Sequence, residues 1–470
     1  MARGSRGWLS LCALSVVGCF TDPPTVSSTD SGSDTGPETT TTTSTSTTAA
    51  VDDSSGSTAG GGTTQSETSA ADTTSGDSSG EPTTTGISEG PCADPDTATY
   101  PGTQGELDVL FVVDNSSGMG FVQANLGAAM DSLVARLDNE GLDYRIGVTT
   151  SDVGNPWCVA STPEAGTFVA STCRQRLSEF QFLGDPGIDV REEACTDICP
   201  HQTIPLLPTP TELDATPQVR PWIERIDGTT NLPEGVTPGE ALRCIVPQGI
   251  DGCGFERTLE GMRMALLRAQ INGEPNYGFL RSSADLLVVL VTDEYDCSSD
   301  PDADTIFLPD GNRVFWEDPF TIGPSSSVCW NAGVECTGGP GIYDECHAQN
   351  YDVDGNPSTP QDAVLHDLAR YTDVLADIDA DNGPASVHLA VMAGFPATGD
   401  IIYADARNPD EQLDFGIGPG CTGDGIVAYP PVRLREVAEA AALPGIDNEY
   451  SVCEPMLCES FESMIDGVVD

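Results

Sequence analysis

The stretch LDVLFVVDNSSGMG (residues 107–120) is a predominantly apolar run that stops at Asp114 and continues into serines and glycines. Such a run predicts a β-strand covered on both faces, as in a parallel sheet with helices on either side. Asp114 then either caps the helix that follows or anchors a metal site. Both alternatives stay open from these residues alone.

Apolar runs and helical periodicities alternate along the rest of the chain. The predicted strands are 107–114, 142–154, 284–296 and 386–396, and the predicted helices are 121–139, 255–270, 361–378 and 431–441. This alternation predicts an α/β fold with a mostly parallel central sheet flanked by helices.

Three segments divide the 470 residues. Residues 1–18 form a predicted signal peptide, because a basic start precedes an apolar run too short to span a bilayer. Residues 19–90 are Ser-, Thr-, Gly- and Asp-rich and predict a disordered linker, since they hold almost no apolar side chain to bury. Residues 91–470 predict one folded domain, with long insertions at about 155–235, 298–360 and 397–430.

The end of the signal segment, VVGC, resembles the lipobox of bacterial lipoproteins. The resemblance implies cleavage before Cys19, a lipid on its sulfur, and a place in the bacterial envelope, at the outer membrane or cell surface. Membrane contact would then occur only through the lipid anchor. The alternative is an ordinary signal peptide with an incidental cysteine.

The net charge bears on the possible partners, and the cysteine content bears on disulfide bonding. The chain carries 74 acidic and 19 basic side chains, for a formal net charge of −55. Such a surface repels phosphate backbones, which argues against nucleic acid and suits divalent cations. Besides Cys12 and Cys19, fourteen of the sixteen cysteines remain. In an exported chain they predict disulfides that staple the insertions.

Two of the predicted strands end in an aspartate, at Asp114 and at Asp293. The carboxyl ends of parallel strands carry the ligand sites of open α/β sheets, so these two side chains are expected to lie close together. Ser116 follows two residues after Asp114 and can point the same way. Two carboxylates and a hydroxyl suit a hard cation, Mg²⁺, Ca²⁺ or Mn²⁺.

DNSSGM at the end of the first strand, together with VVLVTDE in the third, resembles the von Willebrand factor A (vWA) domain. The layout also resembles large secreted vWA proteins of myxobacteria. The resemblance implies a Rossmann-type vWA fold and a metal-ion-dependent adhesion site (MIDAS), whose pattern is Asp-x-Ser-x-Ser, a threonine and a later aspartate. Asp114, Ser116 and Asp293 match this pattern, whereas Gly118 stands where the pattern has its second serine.

Two residues are candidates for the position at which the family's pattern has its threonine. GVTPGEAL (235–242) offers Thr237 in a Gly-rich turn before a helix. DGCGFERTLEGMRMAL (251–266) lies directly before the amphipathic helix and offers Glu256, which we favour because of the placement of that helix. A glutamate would make the site unusually acidic and favour Ca²⁺.

The resemblance implies a cell-surface lipoprotein that binds a protein or surface ligand through the cation, with an acidic residue of the partner completing the coordination shell. One alternative is a structural envelope protein with a vestigial metal site, and another is an enzyme whose chemistry lies in the insertions. We predict no enzyme, because the four histidines form no HExxH pattern and no GxSxG motif occurs.

Overall fold

The computed structural model describes residues 92–95, 97–184, 187–381, 386–442 and 445–469. The predicted signal peptide, Cys19 and the predicted linker lie outside the described residues. No helix in the described part is long and apolar enough to cross a membrane.

Thirteen strands and nine α-helices are described. The strands are β1 Gly105–Val113, β2 Leu142–Thr150, β3 Gln181–Phe182, β4 Ile188–Asp189, β5 Trp222–Ile226, β6 Thr229–Thr230, β7 Asp285–Val291, β8 Val334–Gly338, β9 Tyr343–Ala348, β10 Val387–Ala393, β11 Cys421–Gly423, β12 Ile426–Ala428 and β13 Glu449–Ser451. The helices are α1 Gly120–Ala128, α2 Met130–Glu140, α3 Pro238–Ile245, α4 Thr258–Gln270, α5 Ser327–Gly333, α6 Ala369–Asp381, α7 Pro409–Phe415, α8 Val432–Ala441 and α9 Cys458–Val469.

The central sheet has seven strands in the order β13-β10-β7-β1-β2-β5-β6. The five strands from β13 to β2 are parallel, and β5 and β6 add an antiparallel edge. The predicted mostly parallel sheet is therefore confirmed. The chain passes from β1 outward to β2 on one side and later to β7 on the other, so the switch point of the sheet lies between β1 and β7.

The sequence of β1 explains why helices cover both faces of the sheet. Successive side chains of a strand point to opposite faces. Val109 and Phe111 belong to a buried cluster that includes residues of α1, α2, α3 and α9. Leu110 and Val112 belong to a second cluster, with residues of α4, α6 and α8. A strand buried on both sides has to be apolar at nearly every position, and β1 is.

The predicted elements differ from the observed ones mainly at their ends. The helix predicted over 121–139 is interrupted at Ala129, whose N–H donates to the carbonyls of both Asn125 and Leu126. The helix predicted from residue 361 begins only at Ala369, because the segment before it bonds to a neighbouring loop, as His366 N–H does to the carbonyl of Ser298 (2.9 Å). The short strands β5 and β13 and the helices α3 and α9 were not predicted.

All fourteen cysteines of the folded domain form disulfides, which confirms the predicted stapling. The pairs are Cys92–Cys458, Cys158–Cys253, Cys173–Cys195, Cys199–Cys244, Cys297–Cys329, Cys336–Cys346 and Cys421–Cys453. A third buried cluster, rich in Phe, Tyr and Trp from the loops that follow β7 and β10, lies outside the two sheet faces. The insertions therefore have a core of their own.

Candidate metal centre

The carboxyl ends of β1 and β7 carry the two predicted aspartates. Val113 and Val291 are register partners in adjacent parallel strands, so the residues that follow them leave the sheet side by side. Asp114 comes directly after β1, and Thr292 and Asp293 come directly after β7. The two aspartates thus lie at the switch point, where open α/β sheets place their ligands.

Asp114 is fully buried and its carboxylate accepts two short hydrogen bonds. The backbone N–H of Ser116 donates to Oδ1 (2.7 Å), and the hydroxyl of Thr292 donates to Oδ2 (2.6 Å). Burial raises the pKa of Asp114, and these hydrogen bonds from Thr292 and Ser116 offset part of the rise. The carboxylate therefore ties the loop after β1 to the loop after β7.

Three more carboxyl groups surround Asp114, and we call these four residues, Asp114, Glu256, Asp293 and Glu294, the acidic cluster. Burial raises the pKa of Glu256 well above its usual range, and the charges of Glu294 and Asp114 raise it further. Burial likewise raises the pKa of Asp293, and the charges of Asp114 and Glu294 add to the effect. Burial of the carboxyl group of Glu294 raises its pKa to about 8. The four groups repel one another in a low-dielectric place.

No basic side chain in the described residues forms an ion pair with the acidic cluster. The guanidinium of Arg257, next to Glu256 in the chain, instead pairs with Asp304 (2.7 Å). Buried carboxylates without a cationic partner are expensive to maintain in a folded protein. The charge balance of this place is therefore suited to a cation that the chain itself does not supply.

Several buried polar atoms around the acidic cluster have no hydrogen-bond partner among the described residues. They are Ser116 Oγ, Ser151 Oγ, Glu256 Oε1 and Oε2, Asp293 Oδ1 and Glu294 Oε2. The residues Ser116, Ser151, Glu256 and Asp293 are each at most 5% exposed. Native proteins satisfy nearly all buried polar atoms, so a concentration of unsatisfied oxygens at one spot needs an explanation.

Disulfides and backbone hydrogen bonds hold the loops that carry these residues. Cys253, three residues before Glu256, is bonded to Cys158, and Cys297, three residues after Glu294, is bonded to Cys329. The backbone N–H of Cys297 also donates to the carbonyl of Glu256 (2.6 Å). The acidic groups therefore cannot move apart easily to relieve their repulsion.

The structure brings together four of the five residues predicted to hold the metal: Asp114, Ser116, Asp293 and Glu256. Thr237 lies elsewhere: its side chain is exposed and forms the N-cap of α3. Its hydroxyl accepts the N–H of Glu240 (3.2 Å), and the carboxylate of Glu240 accepts the N–H of Thr237 (3.0 Å). This is a capping box, which explains the Thr-Pro-Gly-Glu pattern without a ligand.

Sequence reasoning missed Ser151, Thr292 and Glu294. Ser151 follows β2 directly, and its backbone is held between β1 and α4 by hydrogen bonds to Val113 and Arg257. Thr292 and Glu294 flank Asp293 in the motif VTDE, and this position next to a predicted ligand could have identified them as part of the site. No motif pointed to Ser151, although the same strand-end argument that found Asp114 and Asp293 applies to it.

The chemistry of this donor set fits a hard divalent cation, because every available atom is a carboxylate or hydroxyl oxygen. Within the described part of the chain, no three His, Cys, Asp or Glu side chains by themselves have the arrangement of a metal site. Any ion here would draw on hydroxyls and water in addition to carboxylates.

Two other acidic or cysteine-rich motifs have structural explanations. In DVDGN (352–356), Asp352 accepts the backbone N–H groups of Asp354 and Asn356 (both 2.9 Å), which is an exposed Asx turn. In CTDICPH (195–201), both cysteines are in disulfides and are not available as thiolate ligands.

Compared with known families and with curated proteins, the chain matches no family model and no curated sequence.

Proposed function

We propose that this protein is a lipid-anchored surface protein whose vWA-like domain binds a protein or surface ligand through a divalent cation at the acidic cluster. The sheet order, with its switch point between β1 and β7, supports the vWA-like assignment. The placement of Asp114, Ser116 and Asp293 at that switch point supports a MIDAS-like site.

One observation carries the proposal: four carboxyl groups converge in a buried place where their pKa values are raised, and no basic side chain of the part of the chain that the structure describes pairs with them. A buried carboxylate with a purely structural role usually has an arginine or lysine nearby. The buried Asp108 in β1 has one, since its Oδ1 accepts from Arg281 Nε (2.9 Å). The contrast between Asp108 inside β1 and Asp114 directly after it favours a cation as the missing partner of Asp114.

Each residue has a distinct part in this mechanism. A divalent ion bound here would supply positive charge and open coordination positions for a ligand oxygen. Ser116 offers its free hydroxyl, while Asp114 is oriented by Thr292 and by the backbone of Ser116. Glu256 and Asp293 supply charge from two further loops. An acidic group of the partner would complete the coordination.

Apolar side chains on two insertion loops support a protein as the ligand. Phe320 and Ile322 are 91% and 94% exposed, and Trp157 is 42% exposed. The two loops touch, because a Cβ atom on Gly323 would lie 2.6 Å from Trp157 Cζ2. Trp157 adjoins the Cys158–Cys253 disulfide that holds the Glu256 loop. Exposed aromatic and aliphatic groups of this kind are typical of protein-binding surfaces.

A purely structural role for the ion is the second candidate. The residues of the centre are almost wholly buried, so an ion there would also lock the loops after β1, β2 and β7 together. In that case the ion would stabilise the domain without any surface ligand.

Calorimetric titration of Ca²⁺, Mg²⁺ and Mn²⁺ into the full chain tests the proposed cation site. We expect saturable binding of at least one ion, and we expect Glu256→Gln to weaken it about 10-fold or more because a charged oxygen donor is lost.

Thr237→Ala is the matched control for this titration. It removes the N-cap of α3 and should lower the free energy of unfolding by about 1 kcal/mol, with ion affinity unchanged. Absence of binding for all three ions would reject the cation site. Equal losses of affinity in Glu256→Gln and Thr237→Ala would show that the effect is one of general stability.

The proposed anchor has a separate test, because it concerns residues outside the described part. Mass spectrometry of the mature protein from a bacterial envelope is expected to show an N-terminus at Cys19 that carries acyl groups. A mature chain with an unmodified Cys19 would contradict the anchor and leave the cation site untouched.

A further inference from the structure

Gly118 stands at the position where the MIDAS pattern has its second serine, and the structure shows what fills the space of that side chain. A Cβ atom on residue 118 would lie 2.1 Å from Asp293 Oδ2 and 3.1 Å from Asp293 Cγ. Non-bonded carbon and oxygen atoms do not approach this closely, so residue 118 could carry a side chain only if the carboxylate of Asp293 moved. The carboxylate of Asp293 therefore occupies the volume that a serine would need.

The backbone does not require a glycine at this position. Gly118 is not among the residues with positive φ, and it lies inside a short 3₁₀ turn, Ser117–Met119, that any residue can adopt. The glycine is therefore explained by the approach of Asp293 and not by a turn conformation.

The backbone of Asp293 is held in place, and its side chain is buried. The backbone carbonyl of Asp293 accepts the N–H of Tyr429 (2.8 Å), and the residue is 5% exposed. Its Oδ1 atom is buried and has no hydrogen-bond partner among the residues that the structure describes, and the same holds for the hydroxyl of Ser116, two residues before Gly118.

We propose that Asp293 replaces the missing hydroxyl as a direct ligand of the cation, and that the resulting carboxylate-rich set selects Ca²⁺ over Mg²⁺. This inference rests on the proposed function, since it assumes that the centre binds a divalent cation. In the resembling pattern, a serine at position 118 would keep the later aspartate at a distance. Here the glycine admits the carboxylate.

The expected ion follows from the donor set. Ca²⁺ accepts six to eight oxygen ligands in irregular arrangements, and its affinity grows with the number of charged ligands. Mg²⁺ demands a near-ideal octahedron and retains several waters. Carboxylates from Asp114 and Asp293 and the hydroxyl of Ser116, with the charge of Glu256 nearby, lie on disulfide-restrained or strand-anchored loops and suit the larger ion.

The sharpest test restores the residue of the pattern. We expect Gly118→Ser to bind Ca²⁺ about 10-fold or more weakly than the wild type, because its Cβ displaces the carboxylate of Asp293. Gly118→Ala is the matched control and should show the same loss, since it adds the Cβ without the hydroxyl. Tighter Ca²⁺ binding by Gly118→Ser would overturn the inference, because it would mean that the site simply lacks a hydroxyl.

A second measurement distinguishes direct binding from binding through water. The luminescence lifetime of Eu³⁺ in H₂O and D₂O reports how many waters the bound ion carries. Asp293→Ala should add at least one water if the carboxylate binds the ion directly. An unchanged number of waters would overturn the inference, and this test stands even where a Gly118 variant does not fold.

These outcomes separate the inference from the proposed function. If the wild type binds no Ca²⁺, Mg²⁺, Mn²⁺ or Eu³⁺, the proposed cation site itself fails. If the wild type binds Mg²⁺ as tightly as Ca²⁺, the site stands and the claimed selectivity is wrong.

Discussion

Replacing Asp114 with asparagine is expected to abolish ion binding and, at the same time, to stabilise the ion-free protein. The two effects have opposite signs because the charge of Asp114 attracts the bound ion, whereas without an ion the same charge is buried and repelled by the neighbouring carboxylates. Asparagine keeps the size of the side chain and its Oδ1 can still accept the N–H of Ser116. The substitution removes the charge at the centre of the acidic cluster, and the hydroxyl of Thr292, which donates to Oδ2, has to turn and accept from the new amide instead.

The loss of affinity should be about 100-fold or more, since Asp114 lies at the meeting point of both strands and orients its neighbours. The gain in stability should be about 1–3 kcal/mol near pH 9, where the carboxyl group of Glu294, whose pKa is raised to about 8, is mostly ionised. Calorimetric titration measures the first quantity. Urea denaturation in the presence of a chelator measures the second.

Asp108→Asn, in the strand that ends just before Asp114, provides the matched control. Asp108 is also buried in β1, but its carboxylate is paired with Arg281, so its removal leaves a buried guanidinium without its partner. That variant should lose stability and keep its ion affinity. If Asp114→Asn were as destabilising as Asp108→Asn in the chelator, Asp114 would be an ordinary structural acid and the metal centre would lose its main support.

The parts of the fold that sequence reasoning predicted are those in which local pattern and tertiary burial agree. β1 and β7 are apolar at nearly every position because both of their faces are covered, and that pattern is visible without a structure. β5 escaped prediction because its sequence, WIERI, contains two charged residues. Glu224 tolerates burial only through a tertiary contact: it accepts from Arg145 Nε (3.1 Å), which no local pattern reveals.

The candidate site was predictable to a similar extent. Asp114 and Asp293 end apolar strands, so the topology of parallel sheets was enough to bring them together. The choice between Thr237 and Glu256 needed the structure, because both precede a helix and only their tertiary placement differs. Gly118 was the least predictable feature. In the sequence it marks an absent hydroxyl, whereas in the structure its missing side chain makes room for Asp293.

Without divalent ions, the protein is expected to lose stability as the pH rises from about 5 to about 9. Burial raises the pKa of every member of the acidic cluster, and that of Glu294 from its ordinary value of 4.5 to about 8. The folded state therefore keeps protons that the unfolded chain releases near pH 4. For such groups the stabilisation is complete below the unfolded pKa and disappears as the pH passes the folded pKa.

A bound cation should offset this loss of stability, because it favours the charged form of the same carboxyl groups. Ca²⁺ affinity is expected to rise across the same pH interval, and saturating Ca²⁺ should flatten the loss of stability. Urea denaturation at pH 5, 7 and 9, with chelator or with Ca²⁺, gives the required free energies of unfolding. High ionic strength is needed in all samples, since it screens the repulsion among the many surface acids.

Glu294→Gln isolates the contribution of the cluster from the general effect of a net charge of −55. Relative to the wild type in chelator, this variant should lose less stability between pH 5 and pH 9, by on the order of 2 kcal/mol. Glu345→Gln, at an exposed carboxylate of β9, should follow the wild type. A wild type whose ion-free stability increases from pH 5 to pH 8 would mean that the cluster is charged and satisfied by the protein alone, which leaves no need for a cation.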